Sequence, residues 1–322
     1  MSRMEMRKAT PEERKLFYNE EWNKREIPDF VLHTLSLREF GFDLDGTGPS
    51  HRYNQFITVE QLGDFLRNRA PYSAFASVAL YERPSAREGW LKSELALDID
   101  AKDLPLKACG CQSGNVCERC IDEARRIAVE FAETLAGDLD LRNIHFVYSG
   151  RGFHIRVTDE AVMGLEQNER GQIVEYLTGG LIPTDITMAL GYSKVFRERV
   201  ARTFSALDEE KLLKVRRMRK PLVQRLMMEK ERALRAIRKG TLDELSSFKG
   251  MGEKTLRQLL EFLARTNLGF TDGKVTIDTK RILRLPSSLH SGVCMKCTLV
   301  RDIERFRLDD AIPKFMREAE GK

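Results

Sequence analysis

Short apolar runs alternate with polar residues in two parts of the chain and predict β-strands there. The first part contains FASVAL at 75–80, SELALDID at 93–100 and IHFVYSGRGFHIRVTD at 144–159. The second contains KVTID at 274–278 and RILRLPSSLH at 281–290. β-Branched and aromatic residues with period-2 spacing and turn-forming boundaries are typical of strands. We therefore expect β-structure on both sides of the middle of the chain.

Helical spacing of apolar residues dominates between these two parts. Residues 195–265 follow it almost throughout, with breaks at Pro221 and near Gly240. No internal repeat is evident in the sequence. The simplest architecture is an α/β (α+β) mixed-sheet fold in which residues 1–190 and 267–322 form one domain and residues 191–266 form a helical insertion.

The composition is that of a folded protein rather than a disordered one. The chain has 322 residues, of which 42% are hydrophobic and 32% are charged. No apolar run approaches the roughly 18 residues that a membrane helix needs, and the N-terminal stretch lacks the apolar core of a signal peptide. We expect a cytoplasmic protein without a membrane partner. In that compartment the six cysteines are metal ligands or free thiols rather than disulfides.

Positive charge is concentrated in the helical stretch. Residues 194–239 contain 16 Lys and Arg against 6 Asp and Glu, a net charge of +10, whereas the whole chain carries +5. Such a distribution indicates a polyanionic partner. The alternative interpretation is an ordinary solvated helix surface.

Two aspartates, Asp98 and Asp100, end the apolar run LALDID. Successive side chains of a strand point to opposite faces, so both carboxylates lie on one face and repel each other. Two-metal enzymes use such carboxylates to hold two divalent cations about 3.5–4 Å apart. Asp278, after a β-branched run far along the chain, is the candidate for a third carboxylate. An exposed strand end without a ligand is the alternative for this motif.

Four cysteines lie within the stretch CGCQSGNVCERC: Cys109, Cys111, Cys117 and Cys120. Four thiolates satisfy tetrahedral zinc and leave no open coordination position. The zinc motif at 109–120 is therefore expected to be structural rather than catalytic. It follows Asp100 closely, so we expect it to brace the exit of that strand.

Two further motifs carry groups suited to phosphate. SGRGFH combines glycines that permit a close backbone approach with Ser149, Arg151 and His154. RLPSSLH supplies a guanidinium that can bind phosphate oxygens in a bidentate manner, together with further donors. Each motif read alone also fits an ordinary turn or loop.

Together and in this order, the four motifs resemble the catalytic (small) subunit of archaeal and eukaryotic DNA primases. That family has a strand D-x-D, a zinc cluster just after it, an S-G-R-G-x-H motif, and a late aspartate before an R-x-P-x-S-x-H-like loop. The resemblance covers residues 15–160 and 270–290. It implies the mixed α/β primase fold, which lacks the palm, fingers and thumb of ordinary polymerases.

The resemblance implies a role for each matching residue. Asp98, Asp100 and Asp278 would bind two catalytic Mg²⁺ or Mn²⁺ ions. The basic motifs would hold the phosphates of the incoming nucleotide through six residues: Ser149, Arg151, His154, Arg284, Ser288 and His290. Arg38 of REFGF and Arg52 of SHRYNQF would line the site.

The family also implies an activity and partners. The activity would be de novo synthesis of short RNA primers on single-stranded DNA from ribonucleotides, with deoxyribonucleotides left open. The partner would be a large primase subunit carrying an iron–sulfur cluster, because this chain lacks the cysteines for both that cluster and its zinc site. We expect an archaeal origin and a place in the primosome.

Two stretches depart from the family pattern. SGVCMKC contains a lone C-x-x-C, Cys294 and Cys297, which we interpret as structural or incidental. The region 242–262, which contains LSSFKGMGEKTLRQLLEF, resembles a helix-hairpin-helix motif, with a tight turn between two packed helices as the alternative. The basic cluster VRRMRKP and this hairpin supply the predicted template contacts: Arg216, Arg217, Arg219 and Lys220, and as a weaker group Lys249 and Lys254.

Two other functions stay open at this point. A related primase–polymerase of repair or plasmid replication shares the D-x-D and S-G-x-G-x-H motifs, although such relatives often lack the adjacent four-cysteine site. A non-catalytic zinc protein that binds nucleic acid has no need for three aspartates or for SGRGFH.

Overall fold

The computed structural model describes residues 7–107, 109–111, 116–188 and 190–320. Within these ranges the strands are β1 (Phe40–Asp43), β2 (His51–Asn54), β3 (Ser73–Ser77), β4 (Ala79–Arg83), β5 (Glu88–Ser93), β6 (Leu95–Asp100), β7 (Ile144–Tyr148), β8 (Gly152–Val157), β9 (Ile282–Arg284) and β10 (Thr298–Val300). The helices are α1 (Pro11–Leu16), α2 (Asp29–Leu32), α3 (Val59–Arg69), α4 (Glu118–Asp138), α5 (Glu160–Met163), α6 (Gln167–Thr178), α7 (Gly191–Ser205), α8 (Glu209–Leu213), α9 (Lys220–Met228), α10 (Lys230–Lys239), α11 (Leu242–Ser246), α12 (Glu253–Leu268), α13 (Gly273–Ile277) and α14 (Lys314–Glu320).

Antiparallel pairing organises the strands into two four-stranded sheets and a hairpin. The first sheet has the order β2-β1-β3-β9, the second has the order β10-β7-β8-β6, and β4 pairs with β5. β9 and β10 come from the end of the chain and pair with β3 and β7 respectively. The two β-rich parts of the sequence therefore build the sheets together. The mixed α+β fold expected from the sequence is confirmed.

One predicted strand is wrong. KVTID does not extend a sheet, because residues Gly273–Ile277 form the short helix α13. The Asp272 carboxylate accepts a hydrogen bond from the Lys274 N–H at 3.1 Å and starts this helical turn. A five-residue alternating run is too short to exclude one turn of helix. This correction changes which aspartate reaches the D-x-D strand.

Strand β6 has two faces with different environments. One face belongs to the large hydrophobic core, to which α4 contributes its apolar side, and carries Leu95, Leu97 and Ile99. On the other face Ala96 packs in a small cluster with Val275 of α13. Asp98 and Asp100 continue that second face, as strand alternation predicted.

The segment 191–266 is helical, as expected, and consists of α7 to α11 and most of α12. Its apolar side chains belong to the same core cluster as β6 and β8. Polar contacts add to this attachment, since Arg199 and Arg202 of α7 both form ion pairs with Glu130 of α4. This segment, which we call the helical block, is thus packed against α6 and α4, and α4 in turn packs on strands β6 and β8.

None of the helices in the described residues is long and apolar enough to cross a membrane.

Candidate active site and metal centre

The edge strand β6 of the second sheet and its neighbour β8 bring the D-x-D motif against the SGRGFH motif. Asp98 lies opposite His154, and Asp100 lies opposite Gly152, in the antiparallel register of β6 and β8. A Cβ atom at Gly152 would lie 2.1 Å from the Ile99 carbonyl oxygen, so only glycine permits this approach. The two motifs predicted to bind metal and nucleotide are therefore direct neighbours.

Asp98 lies in a region of excess negative charge. Burial and the neighbouring Asp100 raise the pKa of Asp98 to about 7, Asp272 acts in the same direction, and Arg284 opposes them. The side chains nevertheless stay accessible, at 25% exposure for Asp98 and 24% for Asp100. An accessible carboxylate held against repulsion is the state that a bound cation would relieve.

The third carboxylate beside this pair belongs to Asp272. A cavity of about 300 Å³ is lined by Asp98, Asp100, Asp103 and Asp272. The Asp272 backbone N–H donates to the Asp98 carbonyl oxygen at 3.0 Å, which fixes the start of α13 beside β6. The stretch LGFTDGK contains Asp272, but an Asp-Gly pair is typical of turns, and the sequence pattern assigned this residue no role.

The prediction of Asp278 as the third carboxylate needs correction. Asp278 follows the end of α13, and its carboxylate accepts the Lys280 N–H at 2.9 Å. It does not line the described cavity of the D-x-D pair. Its negative charge is felt by Tyr81 instead, where it contributes to the raised pKa of that phenol after the larger effect of burial.

Basic groups face the carboxylates from the other side. Arg151 binds Asp100 in a bidentate manner, with Nε 3.0 Å from Oδ1 and Nη2 2.5 Å from Oδ2. Arg284 of β9 donates through Nη1 to the Ser149 carbonyl oxygen at 3.1 Å, which joins the two basic motifs. His290 approaches Gly150 so closely that a Cβ there would lie 2.5 Å from its own Cβ. Four predicted nucleotide-binding residues thus lie close together beside the D-x-D strand.

Both histidines of the site are neutral donors or acceptors at pH 7. Burial and nearby arginines lower the pKa of His154 and of His290 well below the usual value. His290 Nδ1 accepts the Gly292 N–H at 3.0 Å, so its Nε2 carries the proton. His154 Nε2 lies 3.5 Å from Asp98 Oδ1. A neutral N–H group suits hydrogen bonding to phosphate without adding charge.

Three predicted nucleotide-binding residues have other roles. Arg38 is 1% exposed and forms an ion pair with Glu94 at 2.5 Å, so its guanidinium is not available to a ligand. Arg52 pairs with Glu39 in the first sheet. The Ser288 hydroxyl is fully buried and donates to the Leu285 carbonyl oxygen at 2.8 Å. Sequence reasoning assigned these residues from motif position, which does not show which polar groups are already satisfied.

Glu94, immediately before β6, is the centre of a separate buried network. Its two carboxylate oxygens pair with Arg38 and Arg156, each at 2.5 Å, and it is 0% exposed. Although burial acts in the opposite direction, Arg156 and Arg38 lower the pKa of Glu94. This charge is neutralised within the protein, unlike that of Asp98.

The four cysteines of the zinc motif come together as predicted. Their Sγ atoms all lie within 4.8 Å of one another, and in the described residues this is the only group of three or more potential metal ligands with that property. Cys117 and Cys120 are 3.8 Å apart, close to the sulfur separation of about 3.8 Å in tetrahedral zinc with Zn–S bonds of 2.3 Å. Cys117 is the N-cap of α4, so the cluster connects the D-x-D strand to the helix beneath it.

The remaining predicted residues lie elsewhere. Cys294 and Cys297 are fully buried, and burial raises the pKa of each thiol to about 12. The described residues contain no third ligand beside them. The predicted template contacts are all exposed on the helical block: Arg216, Arg217, Arg219, Lys220, Lys249 and Lys254.

The fold has two antiparallel sheets, a D-x-D strand that faces SGRGFH, and a four-cysteine cluster. Together these features define a nucleotidyl-transferase-like class of site.

Comparison with known proteins gives the family. The protein-family model described as DNA primase small subunit matches residues 97–301 of this chain. The chain is 42% identical to DNA primase small subunit PriS of Methanothermobacter thermautotrophicus, over 97% of this chain and 98% of the relative. It is 40% identical to PriS of Thermococcus sibiricus over 98% and 95%, and 38% identical to PriS of Pyrococcus furiosus over 98% and 95%. The chain belongs to the DNA primase small subunit family.

Proposed function

We propose that this chain is the catalytic subunit of a DNA primase, which synthesises short RNA primers de novo on single-stranded DNA. The observation that carries the proposal is that a group of acidic side chains and a group of basic side chains lie next to each other, joined by the Arg151–Asp100 ion pair. Asp98, Asp100 and Asp272 supply the acidic side, while Arg151 and Arg284 supply the basic side. Metal ions and a nucleoside triphosphate need these two surfaces next to each other.

The acidic side fits Mg²⁺ or Mn²⁺. All its ligand groups are carboxylate or carbonyl oxygens, which hard divalent cations prefer. Burial first, and then the negative charges of Asp100 and Asp272, raise the pKa of Asp98, and a bound cation would favour its ionised form. When bound, two such ions supply activation of the attacking 3′-hydroxyl and neutralisation of the leaving pyrophosphate.

The basic side positions the triphosphate. Arg151 and Arg284 offer guanidinium groups for bidentate contacts, and the His290 Nε2–H offers a neutral donor. Arg151 is held by Asp100 in this structure, so phosphate binding would exchange one anionic partner for another. The arginines would also stabilise negative charge that develops on the transferred phosphoryl group.

The four cysteines are proposed to hold one structural zinc ion. They supply four sulfur ligands and no open position, and they connect β6 to α4. Metal analysis of the purified chain should find about one zinc per molecule. Cys117→Ser should lower the melting temperature, because structural zinc contributes on the order of 10 kcal/mol to local folding. Complete zinc loss with an unchanged melting temperature would contradict the assignment.

Three parts of the proposal concern organisation and partners. Residues 191–266 would be an insertion into a catalytic domain made of residues 1–190 and 267–322. The exposed cations of that insertion would contact the template. The small-subunit name of the relatives supports a large-subunit partner, for which we propose an iron–sulfur protein.

Primer synthesis on an unprimed template tests the function directly. The full chain would be incubated with single-stranded DNA and ribonucleotides in Mg²⁺ or Mn²⁺, and the products separated by length. We expect short RNA products that Asp98→Asn does not form. Extension of a supplied primer without any synthesis on the unprimed template would contradict de novo priming and favour a primase–polymerase role.

A further inference from the structure

The helical block contains two copies of one helix-hairpin-helix unit, a repeat that the sequence pattern did not reveal. α8 begins at Glu209 and α11 at Leu242, and α9 begins at Lys220 and α12 at Glu253. The separation is 33 residues in both cases. The first hairpin lies between α8 and α9, and the second lies between α11 and α12.

The two hairpins agree in hydrogen bonding. The Met218 N–H donates to the Val215 carbonyl oxygen at 3.1 Å, and the Met251 N–H donates to the Phe248 carbonyl oxygen at 2.8 Å. These residues are related by the same separation, and all four are buried. The pattern is therefore repeated in packing as well as in backbone.

The turn between the two helices of each hairpin, which we call its apex, also has an unusual backbone conformation in both hairpins. Arg217 has φ 70° and its equivalent Gly250 has φ 99°. Glycine adopts this left-handed region readily, whereas an arginine there is strained. The first hairpin thus keeps a cationic side chain at a position where the backbone favours glycine.

The two units face each other through equivalent surfaces. A cavity of about 360 Å³ between them has seven lining residues, and four of these form two equivalent pairs: Arg217 with Gly250, and Leu222 with Thr255. When equivalent residues meet across one interface, the contact is isologous and the two units are related by a local twofold axis. The hairpins therefore form a pseudo-symmetric pair.

Cations at the apices differ from three ion-paired cations of the block. Lys211, Lys214 and Arg232 form ion pairs with nearby carboxylates. The six exposed apex cations form no ion pair with any described residue: Arg216, Arg217, Arg219, Lys220, Lys249 and Lys254. Charge left without an internal partner at both apices is suited to an external polyanion.

We propose that the paired hairpins bind the primer–template duplex, with each hairpin contacting a phosphodiester of one strand. This inference rests on the proposed priming function and specifies what the helical block holds. The antiparallel strands of a duplex are related by local twofold axes, and twofold proteins match that symmetry. A single strand offers no second backbone in this relation.

Equivalent cations in the two hairpins provide the test. Arg216→Ala/Lys249→Ala removes one apex cation from each hairpin, and Lys211→Ala/Lys214→Ala removes two ion-paired cations of the same block as a matched control. Binding of the full chain to an RNA–DNA duplex with a DNA overhang, and to the same DNA as a single strand, would be measured by fluorescence anisotropy between 50 and 200 mM salt.

The apex variant should weaken duplex binding roughly tenfold for each lost contact at about 0.1 M salt and reduce the salt slope by about 0.9 per contact. Single-strand binding should fall much less, and the control should leave both unchanged. Equal loss on the single strand would overturn the duplex assignment. An equal effect of the control would overturn the role of the apices.

Arg217→Gly separates binding from folding. It removes the apex charge and relieves the left-handed strain, so the melting temperature should be equal or higher while duplex affinity falls. A lower melting temperature together with unchanged affinity would contradict the proposal. These assays need no catalysis, so failed primer synthesis would refute the priming function without deciding whether the hairpins bind duplex.

Discussion

Glu94 and the Asp98–Asp100 pair lie within one short stretch but have opposite electrostatic surroundings. Glu94 is fully buried, and Arg38 and Arg156 neutralise it. Asp98 is partly accessible, and its pKa is raised to about 7 by burial and Asp100. A carboxylate satisfied inside the protein holds the fold together. A carboxylate left in excess at an opening is available to a ligand.

The largest expected effect follows from removing a carboxylate of the accessible group. Asp98→Asn should reduce nucleotide addition by at least a thousandfold, or about 4 kcal/mol in activation free energy, because a metal ligand is lost. The melting temperature without added divalent metal should be equal or higher, since repulsion with Asp100 disappears. Initial rates and thermal melts check both parts. An inactive protein that also melts earlier would place Asp98 with Glu94 as a structural residue.

Removal of the buried Glu94 charge should instead lower the stability of the folded protein. Glu94→Gln leaves Arg38 and Arg156 buried without their anion and should cost about 3 kcal/mol of unfolding free energy. Denaturant unfolding at pH 7 measures the loss. Arg142 and Asp140 form an exposed ion pair, so Asp140→Asn is a control expected to cost well below 1 kcal/mol.

The same network gives a pH dependence with a definite sign. The pKa of Glu94 is lower in the folded protein than its usual 4.5, so the network stabilises the fold above that pH. This stabilisation is lost as the pH falls through the folded pKa. The difference between wild type and Glu94→Gln should therefore shrink on acidification below about 4.5. A difference that stayed constant down to pH 3 would contradict the assignment.

The choice between two aspartates sharpens the comparison further. Asp272 lines the cavity of the D-x-D pair, whereas Asp278 does not. Asp272→Asn should lower the rate of primer synthesis about a hundredfold, or about 2.7 kcal/mol, and Asp278→Asn should change it less than threefold. The reverse order of effects would restore Asp278 as the third ligand.

Arg151 should show a smaller and more specific effect. A charge-assisted phosphate contact is worth about 1.5–3 kcal/mol, so Arg151→Ala should raise the nucleotide KM at least tenfold. Arg142→Ala is the matched control, because it removes an arginine from an exposed ion pair. Loss of template affinity with an unchanged KM would make the SGRGFH loop a template contact.

The sequence predicted local features better than three-dimensional relations. The D-x-D strand, the glycine turn opposite it and the cysteine cluster follow from residue type and spacing, and the structure contains them. Asp272 was missed because Asp-Gly favours a turn and KVTID alternates like a strand. Arg38 was misassigned because sequence does not show that Glu94 lies beside it. The hairpin repeat was missed because Arg217 and Gly250 share a backbone conformation but no chemistry.

Binding of Mn²⁺ tests most directly whether the accessible carboxylates form a metal site. The melting temperature of wild type, Asp98→Asn and Glu94→Gln would be recorded over a Mn²⁺ titration. Wild type and Glu94→Gln should be stabilised progressively, by about 2.7 kcal/mol when Mn²⁺ is a hundredfold above its Kd, and Asp98→Asn should show no shift. An unshifted wild type, or an equal shift in Asp98→Asn, would contradict the account.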